Sequence, residues 1–130
     1  VPEKLPVVLV VDDDKDSLFL LTHILSQYVC NTVIESEGMK ALEHIKTIQP
    51  DLILLDIWMP GMSGLEIIQE VRRDDAINSI PVVAVTALAR EQDRSNIMKA
   101  GCDQYISKPY QLEEMETLLS LYLTYRDRTL

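Results

Sequence analysis

The strongest constraint on this chain is a set of short apolar runs with no polar residue inside them: PVVLVV at 6–11, LILL at 52–55 and VVAV at 82–85. A strand with one wet face alternates apolar and polar residues, whereas a strand covered on both faces does not need to. Stretches of helical spacing separate these runs. Leu18, Leu21, Leu25 and Tyr28 recur with Ile24 beside them, then Met39, Leu42 and Ile45, then Leu65, Ile68 and Val71. A second strand fits 32–35 and a short fifth strand fits 105–106. Residues 89–100 predict a helix with a thin apolar stripe, and Leu112, Met115, Leu118, Leu119 and Tyr122 predict a last helix. Ile80-Pro81 introduces the fourth strand at 82–85, a place where proline is tolerated. Strand and helix alternate five times, which predicts an α/β fold of three layers: a parallel sheet with helices on both faces.

The 130 residues make one domain, with a core over about 5–123 and a short tail from Arg126 expected to fray. No linker, repeat or low-complexity segment interrupts it. Twelve basic against 21 acidic residues give a net charge of −9. Such a surface argues against direct binding of nucleic acid or anionic lipid by this domain. No apolar run approaches membrane-spanning length, and the first residues lack a signal-like pattern. Cys30 and Cys102 lie far apart without metal-ligand spacing, which fits a reducing compartment, and the expected location is the cytoplasm.

The topology gathers the polar residues that look out of place. Asp12, Asp13, Asp56, Thr86 and Lys108 each fall at or just beyond the carboxyl end of an expected strand, the edge where open α/β sheets bind ligands. Aspartates crowded there repel one another and raise each other's pKa unless a cation compensates. A hard divalent ion such as Mg²⁺ prefers such oxygens. The expected ligands are Asp13 and Asp56 with Asp12 close by, and the Trp58 carbonyl is a candidate for one more. Helix capping by Asp12 and Asp14 is the simpler alternative. A calcium loop is excluded, because Ser17 stands where its glycine belongs and His23 where its glutamate belongs. Lys108 is a second compensating charge, able to hold a carboxylate or phosphoryl group, and could instead be a solvent-facing lysine before a turn proline. Lys108-Pro109 is a candidate for a cis bond. Thr86 can donate to an anion or, alternatively, cap the next helix.

With VLVVDDD at 8–14, LLDIWMPGMSG at 54–64, AVTALA at 84–89 and GCDQYISKPY at 101–110, the chain resembles a response-regulator receiver domain of two-component phosphorelay signalling over nearly its whole length. That resemblance implies a (βα)5 doubly wound sheet of five parallel strands in the flavodoxin-like order 2-1-3-4-5. It implies Asp56 as phosphoacceptor, Asp12 and Asp13 as the acidic pair organising Mg²⁺ (Mn²⁺ as substitute), Thr86 and Lys108 as partners of the phosphoryl group, and Tyr105 as an aromatic switch. The implied donor is a phosphohistidine on a histidine kinase or histidine phosphotransfer protein. The implied output is a shift of the face formed by the fourth helix, fifth strand and fifth helix, read by a downstream protein or output domain from a monomer or a phosphorylation-promoted homodimer. Such a domain promotes its own phosphorylation and slow autodephosphorylation without being an enzyme in the usual sense. Trp58 and Leu88 would flank the site and hinder the water that resets it.

Three other readings compete. A phosphorylation-independent docking module would not require all five key positions to be filled. An aspartyl-phosphate hydrolase would commonly carry a second acid two residues beyond the nucleophile, where Trp58 stands. A flavodoxin-like electron carrier would place phosphate-binding and ring-stacking loops at the crevice rather than carboxylates. A nucleotidase of the glycine-rich-loop type is excluded by the absence of its motif.

Overall fold

The computed structural model describes residues 4–87 and 90–126. Its elements, in chain order, are β1 (Val7–Val11), α1 (Lys15–Leu25), β2 (Asn31–Glu35), α2 (Gly38–Ile48), β3 (Leu52–Leu55), α3 (Gly64–Arg73), β4 (Val82–Thr86), α4 (Glu91–Ala100), β5 (Gln104–Ser107) and α5 (Leu112–Leu119). All neighbouring strands pair in parallel, in the order β2-β1-β3-β4-β5. The expected fold and strand order are observed.

The unbroken apolar runs are explained by two cores. Alternate residues of the same strands serve opposite faces. Val8, Val10, Leu52, Leu54, Val83, Val85 and Ile106 pack with Leu18, Leu21 and Leu25 of α1 and with Met115 and Leu119 of α5. Leu9, Val11, Ile53, Leu55, Val82 and Ala84 pack on the other side with Ala41 and Ile45 of α2, Ile67, Ile68 and Val71 of α3, and Ile97 of α4. Each fully buried Val, Leu or Ile contributes about 1.5–3 kcal/mol relative to an exposed position. Cys30 and Cys102 are buried, free and on opposite faces.

Helix ends are specified locally. Asp14 caps α1, its carboxylate accepting from the Asp16 N–H at 3.3 Å. Ser63 and Glu66 form a reciprocal capping box at α3. Gly101 ends α4 in the left-handed conformation.

The strands lie within a residue of their expected ends, β5 gaining one at each end, and three helix boundaries differ from those expected. Tyr28 lies beyond α1, which stops at Leu25. α4 begins at Glu91, and Leu88 and Ala89 lie outside the described residues. The largest difference is α5, which ends at Leu119 although the helical pattern runs on to Tyr122. The chain then tightens through two three-residue hydrogen bonds, Leu121 N–H to Leu118 O at 3.1 Å and Tyr122 N–H to Leu119 O at 3.0 Å. This turn buries Leu123 and lays the following residues against the end of α1. Val29 N–H donates to Thr124 O, and Arg126 N–H donates to Gln27 O, both at 2.8 Å. The Tyr28 and Tyr125 rings meet edge to face at 5.2 Å. Long-range pairing thus outweighs another helical turn; of the tail expected to fray, Arg126 is held by this pairing and residues 127–130 lie outside the described residues.

The amino end of the sheet is held by a clasp. From the last turn of α3, Arg72 donates to Gly101 O at 2.9 Å, Asn78 O at 3.0 Å, Ile80 O at 2.8 Å and the Asp103 carboxylate at 2.7 Å. Asp103 also accepts from the Val82 N–H at 2.8 Å. One guanidinium thereby ties α3 to the entry of β4, the end of α4 and the entry of β5. Nearby, Asp51 accepts from the Val7 N–H at 2.8 Å.

Candidate functional site

At the opposite end of the sheet, β1 and β3 are in register, Val11 beside Leu55, so the residues that follow them emerge side by side. Backbone bonds fix both: Asp56 N–H donates to Val11 O at 2.9 Å and Asp12 N–H donates to Glu35 O at 3.1 Å. Asp12 and Asp56 are buried, while Asp13 is exposed at the mouth. Carboxylate oxygens of Asp12, Asp13 and Asp56 lie within 4.8 Å of one another.

Lys108 reaches this cluster from the β5–α5 connection. Its ammonium donates to Asp12 Oδ2 at 2.6 Å, Ser17 Oγ at 3.2 Å and Asp56 Oδ2 at 3.4 Å. The Lys108 N–H bonds Thr86 O at 2.9 Å, anchoring the lysine to the end of β4. The Lys108-Pro109 bond is cis, the form raised from the sequence. Thr86 is fully buried as the last residue of β4, and the N-cap of α4 is Arg90, so capping does not explain Thr86.

The β3–α3 loop shapes the floor. The Trp58 N–H donates to Asp56 Oδ1 at 3.1 Å, while the Trp58 side chain is 74% exposed. Gly61 takes a φ of 79°, the positive value the turn requires. Gly64 allows α3 to start against the strand end, because a Cβ there would lie 2.6 Å from Ile57 Cα and 2.8 Å from Asp56 O.

Burial raises the Asp56 pKa above the usual carboxylate value. Lys108 opposes that rise, the Asp12 charge adds to it, and the Trp58 N–H works against it. Desolvation pulls Lys108 down, but its hydrogen bond to Asp12 and the charges of Asp56 and Asp12 outweigh this and leave it raised. One lysine thus faces three clustered carboxylates. Hard oxygen donors left with an excess of negative charge fit a divalent cation.

The structure therefore brings together Asp12, Asp13, Asp56 and Lys108, with Thr86 adjoining through the backbone. Tyr105 stands apart, toward α4. Its ring is half-buried with the Arg94 guanidinium 5.6 Å from the ring centre. Its hydroxyl is buried with no hydrogen-bond partner among the described residues. Asp14 belongs to the cap, so capping accounts for Asp14 but not for Asp12, which itself accepts from the Asp14 N–H at 2.9 Å. His44 pairs with Glu35 at 3.1 Å and lies outside the described cluster, as does His23. Ser17 and Glu35 were not anticipated. Ser17 stands three residues after the capping Asp14, a spacing that reads as an ordinary helix start and carries no signal of its contact with Lys108.

The profile of the response regulator receiver domain matches residues 8–120. The chain is 35% identical over 116 residues to the polar-differentiation response regulator DivK of Brucella anthropi, a match covering 89% of this chain and 94% of that protein. The chain belongs to the response-regulator receiver family. Among solved structures, the receiver domain of a Francisella response regulator, 1452, superposes with a TM-score of 0.81 at 27% identity, covering 90% of this chain and 95% of that one. The receiver domain of the sensor histidine kinase PA1611 of Pseudomonas aeruginosa superposes with a TM-score of 0.82 at 25% identity, covering 90% and 96%, and that structure holds a magnesium ion in its active-site cleft. As a receiver domain, this chain is a phosphoacceptor signalling domain whose aspartate cluster suits a divalent metal, and its family works with histidine kinases and phosphotransfer proteins. No helix among the described residues is long and apolar enough to cross a membrane.

Proposed function

We propose that Asp56 is the phosphoacceptor, taking a phosphoryl group from a partner's phosphohistidine. The observation that carries this is the setting of one buried carboxylate: Asp56 lies between a lysine ammonium at 3.4 Å and a backbone N–H at 3.1 Å, beside two further aspartates. The Trp58 N–H and Lys108 orient the Asp56 oxygens. A carboxylate oxygen attacks phosphorus, the P–N bond of the phosphohistidine breaks, and its electron pair stays on the imidazole, which takes up a proton. No base is needed, because the nucleophile is an anion. Lys108 neutralises charge on the transferring group as a point charge. Mg²⁺, held by Asp12, Asp13, Asp56 and the Trp58 carbonyl, with Mn²⁺ able to replace it, would neutralise the phosphoryl oxygens further.

The signal is a population shift. Thr86 moves to the new phosphoryl oxygens and Tyr105 responds. The buried Tyr105 hydroxyl, without a partner among the described residues, supports this, because a polar group so shielded from water is costly and favours an alternative pose. The α4–β5–α5 face then offers a changed surface to a downstream protein, an output domain or a second copy. The two buried free thiols suit a reducing cytoplasm.

The test is intact mass after incubation with a small acyl-phosphate donor, with Mg²⁺, with chelator, and for Asp56→Asn. One added phosphate that requires both Mg²⁺ and Asp56 is expected. An adduct persisting in Asp56→Asn would refute the assignment. Absence of any adduct, with a stable phosphoryl mimic also failing to bind, would favour the docking-module reading.

A further inference from the structure

We propose that Ser17 is a positioning residue for phosphoryl transfer, its hydroxyl holding the Lys108 ammonium at the mouth of the pocket. This rests on the reading of Asp56 and Lys108 given above and adds a residue that this reading does not use.

Ser17 lies in the first turn of α1, half-buried. Its Oγ donates to Asp14 Oδ2 at 2.9 Å and accepts from Lys108 Nζ at 3.2 Å. The proton directions follow from chemistry. A carboxylate can only accept and an ammonium can only donate, so the single hydroxyl proton goes to Asp14 and an oxygen lone pair faces Lys108. The chain of bonds runs from Lys108 to Ser17 to Asp14, and the negative end polarises the hydroxyl toward the ammonium.

Three acceptors face the three ammonium protons, at 2.6 Å for Asp12, 3.2 Å for Ser17 and 3.4 Å for Asp56. They are not equivalent during the reaction. Asp56 becomes an acyl phosphate, and Asp12 shares its charge with whatever cation the cluster holds. Ser17 is neutral and lies outside the acid cluster, so its bond to Lys108 persists through those changes. Without it, the tight contact at 2.6 Å leaves the ammonium committed to Asp12, and a flexible four-carbon stem must find the phosphoryl group unaided. Positioning of this kind is felt in the rate of the transfer step and not in donor binding.

The experiment is single-turnover phosphorylation by a small acyl phosphate at saturating Mg²⁺, with donor concentration varied, for the parent, Ser17→Ala, Ser17→Thr, Lys108→Ala and the Ser17→Ala/Lys108→Ala pair. A lost hydrogen bond to a charged group predicts a fall in maximal rate of roughly tenfold for Ser17→Ala, with half-saturation unchanged. Ser17→Thr keeps the hydroxyl and should recover most of the rate. Ser17→Ala should cost nothing further once Lys108 is gone, because the effect travels through that lysine. Independently of activity, the ¹⁵N signal of the Lys108 ammonium in metal-free protein should shift or broaden in Ser17→Ala and not in Ser17→Thr. Should Ser17→Ala loosen α1, Ser17→Cys carries the same expectation, since a thiol is a weak acceptor of similar size. The proposal is overturned by a parental rate and ammonium signal in Ser17→Ala. It is overturned equally by a full tenfold loss on top of Lys108→Ala, which would mean that Ser17 acts through the helix cap. Phosphate uptake by Asp56→Asn would instead overturn the underlying phosphoacceptor reading.

Discussion

At the amino end of the sheet one arginine is satisfied by everything around it; at the carboxyl end one lysine is shared among carboxylates that outnumber it. Arg72 donates to three backbone carbonyls and to Asp103, whose same oxygen also accepts from Val82. Lys108 faces Asp12 and Asp56, and Asp13 joins them without a cation of its own among the described ion pairs. Both ends gather residues distant in sequence, and both close a parallel sheet. The difference is saturation. A cluster whose donors and acceptors match stabilises and has nothing left to bind. A cluster with uncompensated charge is held together by the surrounding fold and can take up a cation and a phosphoryl group.

The largest effect that would break this comparison is on stability at the amino end. Arg72→Ala removes donors from three carbonyls and leaves Asp103 without its cation. The Arg72–Asp103 pair is partly exposed, at 22% and 45%, so solvent screening discounts the ion pair itself. The lost bonds to the backbone remain, and a loss of about 2–3 kcal/mol is expected. Chemical denaturation measures it, and phosphate uptake by the folded fraction should be unchanged. A stable Arg72→Ala with impaired uptake would reverse the roles assigned to the two ends.

A smaller effect of opposite sign belongs to the carboxyl end. Burial raises the Asp56 pKa above the ordinary carboxylate value, so its ionised form is less comfortable in the folded protein than in the unfolded chain. Asp56→Asn removes that charge and keeps an oxygen for the Trp58 N–H. It should raise stability at neutral pH by about 1 kcal/mol when measured in chelator, the usual trade between stability and a functional site. Added Mg²⁺ should stabilise the parent and narrow the gap. An Asp56→Asn less stable than the parent in chelator would mean that Lys108 fully compensates the cluster.

The two ends also differed in how far they could be read from the sequence. Asp12, Asp56 and Thr86 were visible because each is a polar residue closing an apolar run, and Lys108 because it directly follows the last strand and precedes a proline; those signals are local. The core was visible for the same reason. Arg72 was not, because an arginine in the last turn of a helix is an ordinary surface residue until the chain brings Gly101, Ile80 and Asp103 to it. Ser17 was hidden by a good local explanation, since a serine three residues after an aspartate serves a helix start. The early end of α5 was hidden by periodicity itself. Tyr122 continues the helical stripe of Leu112, Met115 and Leu119, and only the distant pairing of Thr124 and Arg126 with residues 27–29 shows why the helix stops.

The smallest effect sharpens the comparison with a titration. Tyr110 follows Pro109 near the acid cluster, and its pKa is pushed from 10.0 up to about 12, first by burial and then by the Asp12 charge. Tyr28, behind α1, is also raised by burial, but its neighbouring charges are Glu116 and Tyr125. A phenol whose folded pKa is raised keeps its proton in the native state after the unfolded chain has lost it. The stability it contributes is therefore complete below pH 10 and is lost as pH climbs from 10 toward 12. Absorbance titration should show a late-ionising component that disappears in Tyr110→Phe. In Asp12→Asn that component should move to lower pH, while the contribution of Tyr28 should stay where it is. If both moved together, the change would reflect general loosening of the fold. If neither moved, the negative potential of the carboxyl end would not reach beyond its own carboxylates, and the contrast between the two ends would lie in hydrogen bonding and not in field.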